Sequence, residues 1–497
     1  MLIHHSYLLF MISFILCLLT LVVGYFTYGK FIEKTFGPDN RPTPVQQHAD
    51  GVDYIRMPRW KIFMIQFLNI AGLGPIFGAI LGAKFGASCF LWIVLGSIFA
   101  GAMHDYLAAM ISLRHNGESL PEIVGHYLGT TTKQVMRTFS VVLLVLVGAV
   151  FVSSPAALLH NLLPEALSLQ WWVIIIFVYY LLAAVLPIDK IIGRIYPLFA
   201  GALLFMAAGL LIALLVHHPV LPEFWDGLGN AHPQAGSLPI FPILFVSVAC
   251  GAISGFHATQ SPMMCRCMQH EKMGRPIFYG AMIVEGIVAL IWAAVATYFF
   301  HYEGGANGLP TDAYGVAEPV IVQHMAVKWL GIVGGALAVL GVIAAPITTG
   351  DTALRSARLI VADMLHINQE KLGKRLAVSA VLFATTMGII LYSQSDKEGF
   401  GVIWRYFSWA NQTLSVFTLW MITVYLVRHR KCFYISLLPA LFMTWVSTTY
   451  ICIAKECIGL PPTISHLVGI FSVVISLLWF VRWKSKNVRP DTPDALP

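Results

Sequence analysis

Asn69-Ile70-Ala71-Gly72-Leu73-Gly74-Pro75-Ile76-Phe77-Gly78 lies in the middle of an apolar run, with Gly82 following, and it cannot continue as an unbroken helix. Pro75 has no amide hydrogen, and its ring clashes with the carbonyl four residues earlier. Gly72 and Gly74 each weaken a helix interior. Within a bilayer, backbone that leaves the helix must be buried by protein or line a cavity. The stretch therefore marks an internal site. A second run, Cys250-Gly251-Ala252-Ile253-Ser254-Gly255-Phe256-His257-Ala258-Thr259-Gln260-Ser261-Pro262, breaks another apolar segment and ends too polar to face lipid. A third segment finishes with Ala345-Pro346-Ile347-Thr348-Thr349-Gly350-Asp351.

The membrane setting follows from composition. Apolar residues make up 58% of the 497, and charged residues only 11%, where a soluble chain carries about a quarter. So few charges cannot cover a surface in water. The apolar residues fall in blocks of roughly twenty, the length a helix needs to cross about 30 Å of hydrocarbon. The eight cysteines make no disulfide or zinc framework. Cys17, Cys89 and Cys250 sit inside apolar runs, and Cys265, Cys267 and His270 match no four-ligand zinc spacing. The first apolar run is too long for a signal-peptide core and lacks a small-residue cleavage site.

Reading apolar runs against breakers predicts thirteen spans: 7–29, 60–83, 86–111, 135–157, 170–187, 196–217, 239–261, 276–300, 326–349, 375–393, 402–427, 433–453 and 464–482. Basic residues provide an independent count. Of the 31, 26 fall in loops that follow odd-numbered spans or in the tail; only Lys84, Lys328, Lys397, Arg405 and Lys455 fall on the other side. Cytoplasmic loops hold the excess of Lys and Arg, so the expected topology in the cell's inner membrane is N-terminus periplasmic and C-terminus cytoplasmic. The net charge of +7 then reflects loops facing anionic lipid, and no nucleic-acid partner is needed to explain it.

The two long breaks lie five spans apart, in helices of opposite direction. Spans two to six (60–217) and seven to eleven (239–427) thus form two five-helix units of opposite topology within one membrane domain, with 1–29 and 433–482 peripheral. An isolated glycine in a membrane helix more often permits close packing; paired polar breaks at corresponding places argue for a site. The arrangement resembles the inverted repeats of LeuT-type transporters, which hold substrate between two discontinuous helices. Half-helix N-termini suit a carboxylate, while freed carbonyls suit a cation or ammonium group. The expected fold class is an all-α polytopic membrane protein with about thirteen spans and a 5+5 core whose units each open with a broken helix.

Candidate substrate-binding residues are Asn69, Gly72, Gly74, Pro75, Gly251, Ser254, Gly255, His257, Thr259 and Gln260. Ionisable groups inside spans are expensive and mark function. Asp105, beside His104, is the first candidate for ion coupling, its structural alternative being a partner for Arg114. Glu285 is the second, with no adjacent base. His257 titrates in the physiological range or serves as a satisfied hydrogen-bonding histidine. Thr348 and Thr349 offer hydroxyls level with the first break; a comparable pair in LeuT-type proteins helps hold sodium. Asp351 and Arg355 form an i, i+4 pair that reads as a latch. No Gly-x-Ser-x-Gly elbow, His-Glu-x-x-His pair or Walker loop occurs, so no catalytic residue, metal or cofactor is expected. Asn411-Gln412-Thr413 matches a glycosylation sequon but falls within a span.

Several stretches also resemble the carbon starvation protein family (CstA): Asn69 to Gly78, Gly101-Ala102-Met103-His104-Asp105, Arg114-His115-Asn116-Gly117-Glu118-Ser119, and Cys250 to Pro262. The later third matches more loosely, and the chain looks like a compact form. The resemblance implies peptide uptake when preferred carbon sources run out and, in some relatives, proton-linked uptake of pyruvate. The combined expectation is a secondary transporter of small peptides driven by a proton or sodium gradient. A pyruvate or monocarboxylate symporter is the alternative, and an ion channel or a membrane nutrient sensor are the further ones.

Overall fold

The apolar runs fold as helices in the computed structural model, which describes residues 11–49, 51, 53–185, 188–302, 315–316, 318–367, 372–395 and 399–487, with no strand among them. The first residues of the predicted first span, the tail after 487, and Lys371, Lys397 and Arg489 lie outside the described residues. We label the principal helices α1 (Ile12–Phe36), α2 (Arg59–Ile70), α3 (Gly74–Ala83), α4 (Ser88–Arg114), α5 (Thr130–Leu162), α6 (Leu169–Val185), α7 (Ile188–His217), α8 (Ile240–Ser247), α9 (Gly255–Cys265), α10 (Glu271–Phe300), α11 (Gly334–Met364), α12 (Gly373–Gln394), α13 (Gly401–Arg428), α14 (Tyr434–Ile453) and α15 (Pro462–Asn487).

Among the described residues, ten helices are long and apolar enough to cross a membrane, and the bent pair α2–α3 makes eleven. The other two predicted spans are occupied by the shorter apolar α6 and by the interrupted pair α8–α9. One boundary differs clearly from expectation. The predicted ninth span ends at 349, but α11 continues to Met364, so Asp351, Arg355 and Arg358 are helical and buried rather than in a loop. Protein, not lipid, surrounds them. The hydroxyl of Tyr196 reaches Asp351 Oδ2 at 3.1 Å, while Tyr180 Oη lies 3.1 Å from the Pro346 carbonyl. That same tyrosine hydroxyl lies 2.9 Å from the Phe151 carbonyl, the group whose intrahelical donor Pro155 removes.

The loop contacts obey the predicted alternation. At one end of the bundle, Arg114 places two nitrogens on Glu271 at 3.0 Å each and donates to the Gly37 carbonyl at 2.9 Å. Arg275 pairs with Glu33 at 2.7 Å, Arg266 donates to Gly117, and the Lys431 amine bonds the Phe36 carbonyl. These residues belong to the segments after spans one, three, seven and eleven. At the other end, Glu223 accepts the amides of Ile12 and Ser13 at 2.9 and 2.7 Å, capping α1. Ser88 donates there to Leu228, and Arg405 pairs with Glu456. α5 and α11 are the most extensively packed pair, and they flank the broken helices.

Candidate functional site

The site grows from the two breaks. α2 stops at Ile70, the chain turns through Ala71 (φ −80°, ψ 48°), and α3 resumes at Gly74 with a 53° bend. α8 stops at Ser247, a tight turn spans 249–251, Ser254 is extended (φ −143°, ψ 119°), and α9 begins at Gly255. The breaks touch. A Cβ on Gly74 would overlap the Cys250 side chain, and one on Gly255 would lie 2.6 Å from the Asn411 carbonyl of α13. Only glycine lets these backbones come so close.

All ten predicted substrate positions are buried. Asn69 accepts a long bond from Thr352 (3.4 Å), Gln66 donates to Ser261 at 3.4 Å, and Gln260 donates to Thr259 at 2.9 Å. Four side-chain amide atoms have no protein partner among the described residues: Gln412 Oε1 on α13, and three others, Asn69 Nδ2, Gln66 Oε1 and Gln260 Oε1. Buried polar atoms are rarely left unmatched. The last three belong to α2 and α9, the two half-helices that a substrate between the breaks would meet.

The ion-coupling candidates divide into two groups. Asp105, His257 and Glu285 come together, fully buried, with His104 completing a chain of four. Asp105 accepts His104 Nδ1 on one carboxylate oxygen and His257 Nδ1 on the other, each at 2.8 Å. His257 Nε2 then faces Glu285 Oε2 at 3.5 Å. An ionised Asp105 requires a hydrogen on both Nδ1 atoms. This pair can hold one further proton, as the Glu285 carboxylic acid or as the His257 imidazolium. Asp105 is therefore not the partner of Arg114, which is committed to Glu271, and Glu285 does have a neighbouring base. α4, α9 and α10 each contribute to the chain, and His257 stands in the first turn of α9 at the break.

Thr348 and Thr349 are elsewhere, on α11 against α2. Thr349 Oγ1 lies 3.0 Å from the Leu68 carbonyl at the last turn of α2 and 2.9 Å from Ala345 O, while Thr348 bonds back to Ala344 and Ala345. The single Thr349 hydroxyl hydrogen has two candidate acceptors, the Leu68 and Ala345 carbonyls.

Sequence reasoning missed Asn411 and Gln412. Asn411 Oδ1 accepts the Phe256 amide at 2.7 Å and the Ser254 hydroxyl at 3.0 Å, so α13 caps α9 across the break. Gln412 Nε2 reaches the Ile253 carbonyl at 3.2 Å. Two adjacent amides inside an apolar span were the available signal. Among the described residues no His, Cys, Asp and Glu group has a metal-holding arrangement. Cys265 bonds the Ala109 carbonyl and Cys267 that of Met263.

Two cavities approach the breaks from opposite ends. One of about 290 Å³ is lined by Thr259, Pro262, Arg266, Ser356 and Asp363; the other, about 630 Å³, by Leu81, Ser247, Lys84, Trp404 and Lys455 among others. Their positions beside α9 and beside α3 and α8 leave the touching breaks between them.

Comparison with known proteins bears on both fold and lineage. The family described as carbon starvation protein CstA matches residues 8–168, 160–304 and 301–450. A membrane protein of Haemophilus influenzae, described as uncharacterized, is 45% identical over 58% of this chain and 91% of its own length. Proteins named peptide transporter CstA match from Campylobacter jejuni (27% identity; 86% of this chain, 78% of that one) and Escherichia coli (24%; 85% and 78%). Among solved structures, MhsT in complex with L-phenylalanine superposes with a TM-score of 0.57 at 12% identity, over 85% of this chain and 99% of that one. An Eremococcus coleocola manganese transporter gives 0.54 at 11%, over 88% and 98%. Both likenesses are of fold, and the fold is the LeuT type.

Proposed function

The chain belongs to the carbon starvation protein CstA family, and from that premise we propose that it is a proton-driven secondary transporter importing small peptides across the inner membrane under carbon starvation. The observation that carries the reading is the buried Asp105–His257–Glu285 chain at the mouth of α9. A single proton passes from the Glu285 carboxylic acid to His257 Nε2, and the charge change lies next to the half-helix that closes over substrate. In the LeuT-type reading, Asp105 and Glu285 come from the second helix of each five-helix unit (60–217 and 239–427). The repeat relation therefore supplies one carboxylate from each side of His257. Substrate lies at the unmatched amides of Asn69, Gln66 and Gln260, beside Gly72, Gly74, Pro75, Gly251, Ser254, Gly255 and Thr259, and in the proposed cycle the two cavities open to it in turn.

A proton is favoured over sodium by the buried Asp105–His257–Glu285 chain, whose groups can take up and release one. The peptide substrate is favoured over pyruvate by the names of the relatives. The end of the bundle gathering Arg114, Arg266, Arg275, Arg428 and Lys431 is taken as cytoplasmic, placing the chain's amino end in the periplasm. No catalytic step is part of this reading.

The test uses purified protein in proteoliposomes with a pH gradient or a sodium gradient imposed in turn, following labelled di- and tripeptides beside labelled pyruvate. Peptide accumulation that needs the pH gradient and is unchanged when choline replaces sodium supports the reading. Pyruvate uptake alone transfers it to the monocarboxylate alternative. Single-channel current without uptake of either overturns it.

A further inference from the structure

Three buried glutamines stand beside the two breaks: Gln66 on α2, Gln260 on α9 and Gln412 on α13. In each, the amide nitrogen is committed and the oxygen is not. The Ser261 hydroxyl donates its one hydrogen to the His257 carbonyl at 2.9 Å, so its oxygen accepts from Gln66 Nε2, at 3.4 Å. The Thr259 hydroxyl donates to the Phe256 carbonyl at 2.7 Å and accepts from Gln260 Nε2 at 2.9 Å. Gln412 Nε2 donates to two carbonyls, those of Ile253 at 3.2 Å and Phe245 at 3.4 Å. These neighbours fix which end of each amide is which. Gln66 Oε1, Gln260 Oε1 and Gln412 Oε1 are therefore acceptors with no protein partner among the described residues. Asn69 Nδ2 is the one side-chain amide donor left unmatched among those residues. Little here suits an anion. Segments 66–78 and 249–265 hold no Lys or Arg, and the Phe256 amide at the start of α9 is taken by Asn411 Oδ1.

We propose that the glutamine oxygens set the specificity of the central site. Gln66 Oε1 and Gln260 Oε1, one on each half-helix, receive N–H groups of the substrate, its ammonium group and its peptide N–H, while Asn69 Nδ2 takes a substrate oxygen. The proposal rests on the transporter reading, which places substrate at these amides, and it names the substrate class as molecules carrying more than one N–H donor. Gln412 Oε1, at the second break, offers a third acceptor. A buried acceptor that finds no donor forfeits its hydrogen bond outright, so each N–H that a ligand brings strengthens its binding. A dipeptide brings both. Pyruvate carries acceptors only; it engages Asn69 and leaves every glutamine oxygen without a donor. Leaving buried polar groups of a site unpaired discriminates between ligands more sharply than apolar fit does. Thr259 lines the cavity of about 290 Å³, so the Gln260 amide bonded to it stands against the wall of that cavity.

The experiment measures Kd by calorimetry on the purified full chain in detergent, with four ligands. They are dialanine, its ester analogue with oxygen in place of the peptide N–H, its desamino analogue N-propionylalanine, and pyruvate. In the unaltered protein each N–H removed weakens binding about tenfold, and pyruvate binds about a hundredfold more weakly than dialanine. Q66M and Q260M remove one acceptor each and keep the side-chain length. Each weakens dialanine about tenfold and leaves unchanged the analogue that lacks the matching N–H. Analogues that bind the unaltered protein as tightly as dialanine overturn the proposal, and this comparison needs no variant to fold. Equal weakening of all four ligands in the variants overturns it too, because a merely structural role does not distinguish them. So does a dialanine that binds more weakly than pyruvate or not at all. Uptake in proteoliposomes separates the proposal from the transporter reading. Equal uptake of dialanine and its ester overturns the proposal and leaves peptide transport standing, whereas N–H-dependent binding without uptake supports the site and overturns transport.

Discussion

Replacing Glu285 by Gln removes the proton from the chain while leaving its shape. The glutamine amide would stand where the carboxyl stands, 3.5 Å from His257 Nε2, with no titratable proton. Neither Glu285 oxygen nor His257 Nε2 has a hydrogen-bond partner among the described residues, so the substitution breaks no hydrogen bond and keeps the side-chain shape, and stability changes by about 1 kcal/mol or less. Asp105 keeps both of its 2.8 Å bonds to His104 and His257. What is lost is coupling. One pH unit across the membrane corresponds to about 1.4 kcal/mol, so one proton per peptide sustains about tenfold accumulation, and two units about a hundredfold. In E285Q the accumulation ratio falls to about one whatever the gradient, while exchange of labelled for unlabelled peptide across the vesicle membrane persists. Both are read from the same proteoliposome preparation, as net uptake under a pH gradient and as counterflow without one. Accumulation equal to that of the unaltered protein refutes the reasoning outright. Loss of counterflow as well would move Glu285 from coupling to substrate binding.

Three further outcomes follow from single contacts. N411A leaves the Phe256 amide and the Ser254 hydroxyl without their acceptor in a buried place, which costs about 2 kcal/mol or more; a melting temperature in detergent equal to that of the unaltered protein would count against the capping role. G255A drives a methyl group to 2.6 Å from the Asn411 carbonyl, and overpacking of about 1–3 kcal/mol should slow uptake about tenfold, whereas G201A, where a Cβ meets open space, should leave it unchanged; similar uptake by the two variants would contradict the close approach. Burial alone would raise the Glu122 carboxyl, but hydrogen bonds from Lys133 and Arg137 outweigh it and hold the group low. The stabilisation of the short helix Leu120–Leu128 is therefore complete above the unfolded value of about 4.3 and fades as pH falls through the lowered folded value. Hydrogen exchange over 120–128 should accelerate on acidification in the unaltered protein and be pH-insensitive, after correction for intrinsic rates, in E122Q.

The breaks were legible because glycine and proline act locally, and their meaning does not depend on what packs against them. The apolar runs were legible for the same reason, each being a property of one segment, and ten or eleven of the thirteen fold as helices long and apolar enough to span among the described residues. Asp105 and Glu285 stood out as ionisable groups in apolar runs, yet neither could be given a partner. Asp105 and His257 are 152 residues apart, and nothing in either segment announces the pairing. The nearby Arg114 was the obvious alternative, but Glu271 on the far side of α9 takes it. Asn411 was passed over because its sequon drew the reading, when an amide pair deep in a span calls for buried partners. The early end assigned to the ninth span came from treating Pro346 and Asp351 as a helix stop. Tyr180 and Tyr196, from other helices, supply what that stretch of chain lacks.

The most direct test loads proteoliposomes with a pH-sensitive dye and adds dipeptide outside, with no imposed gradient and the membrane potential clamped. If the His257–Glu285 proton travels with substrate, the lumen acidifies as peptide enters, in a fixed ratio of protons to peptide, and E285Q abolishes the acidification. Peptide entry with no change in lumenal pH would contradict proton coupling and return the question to the Thr349–Leu68 contact.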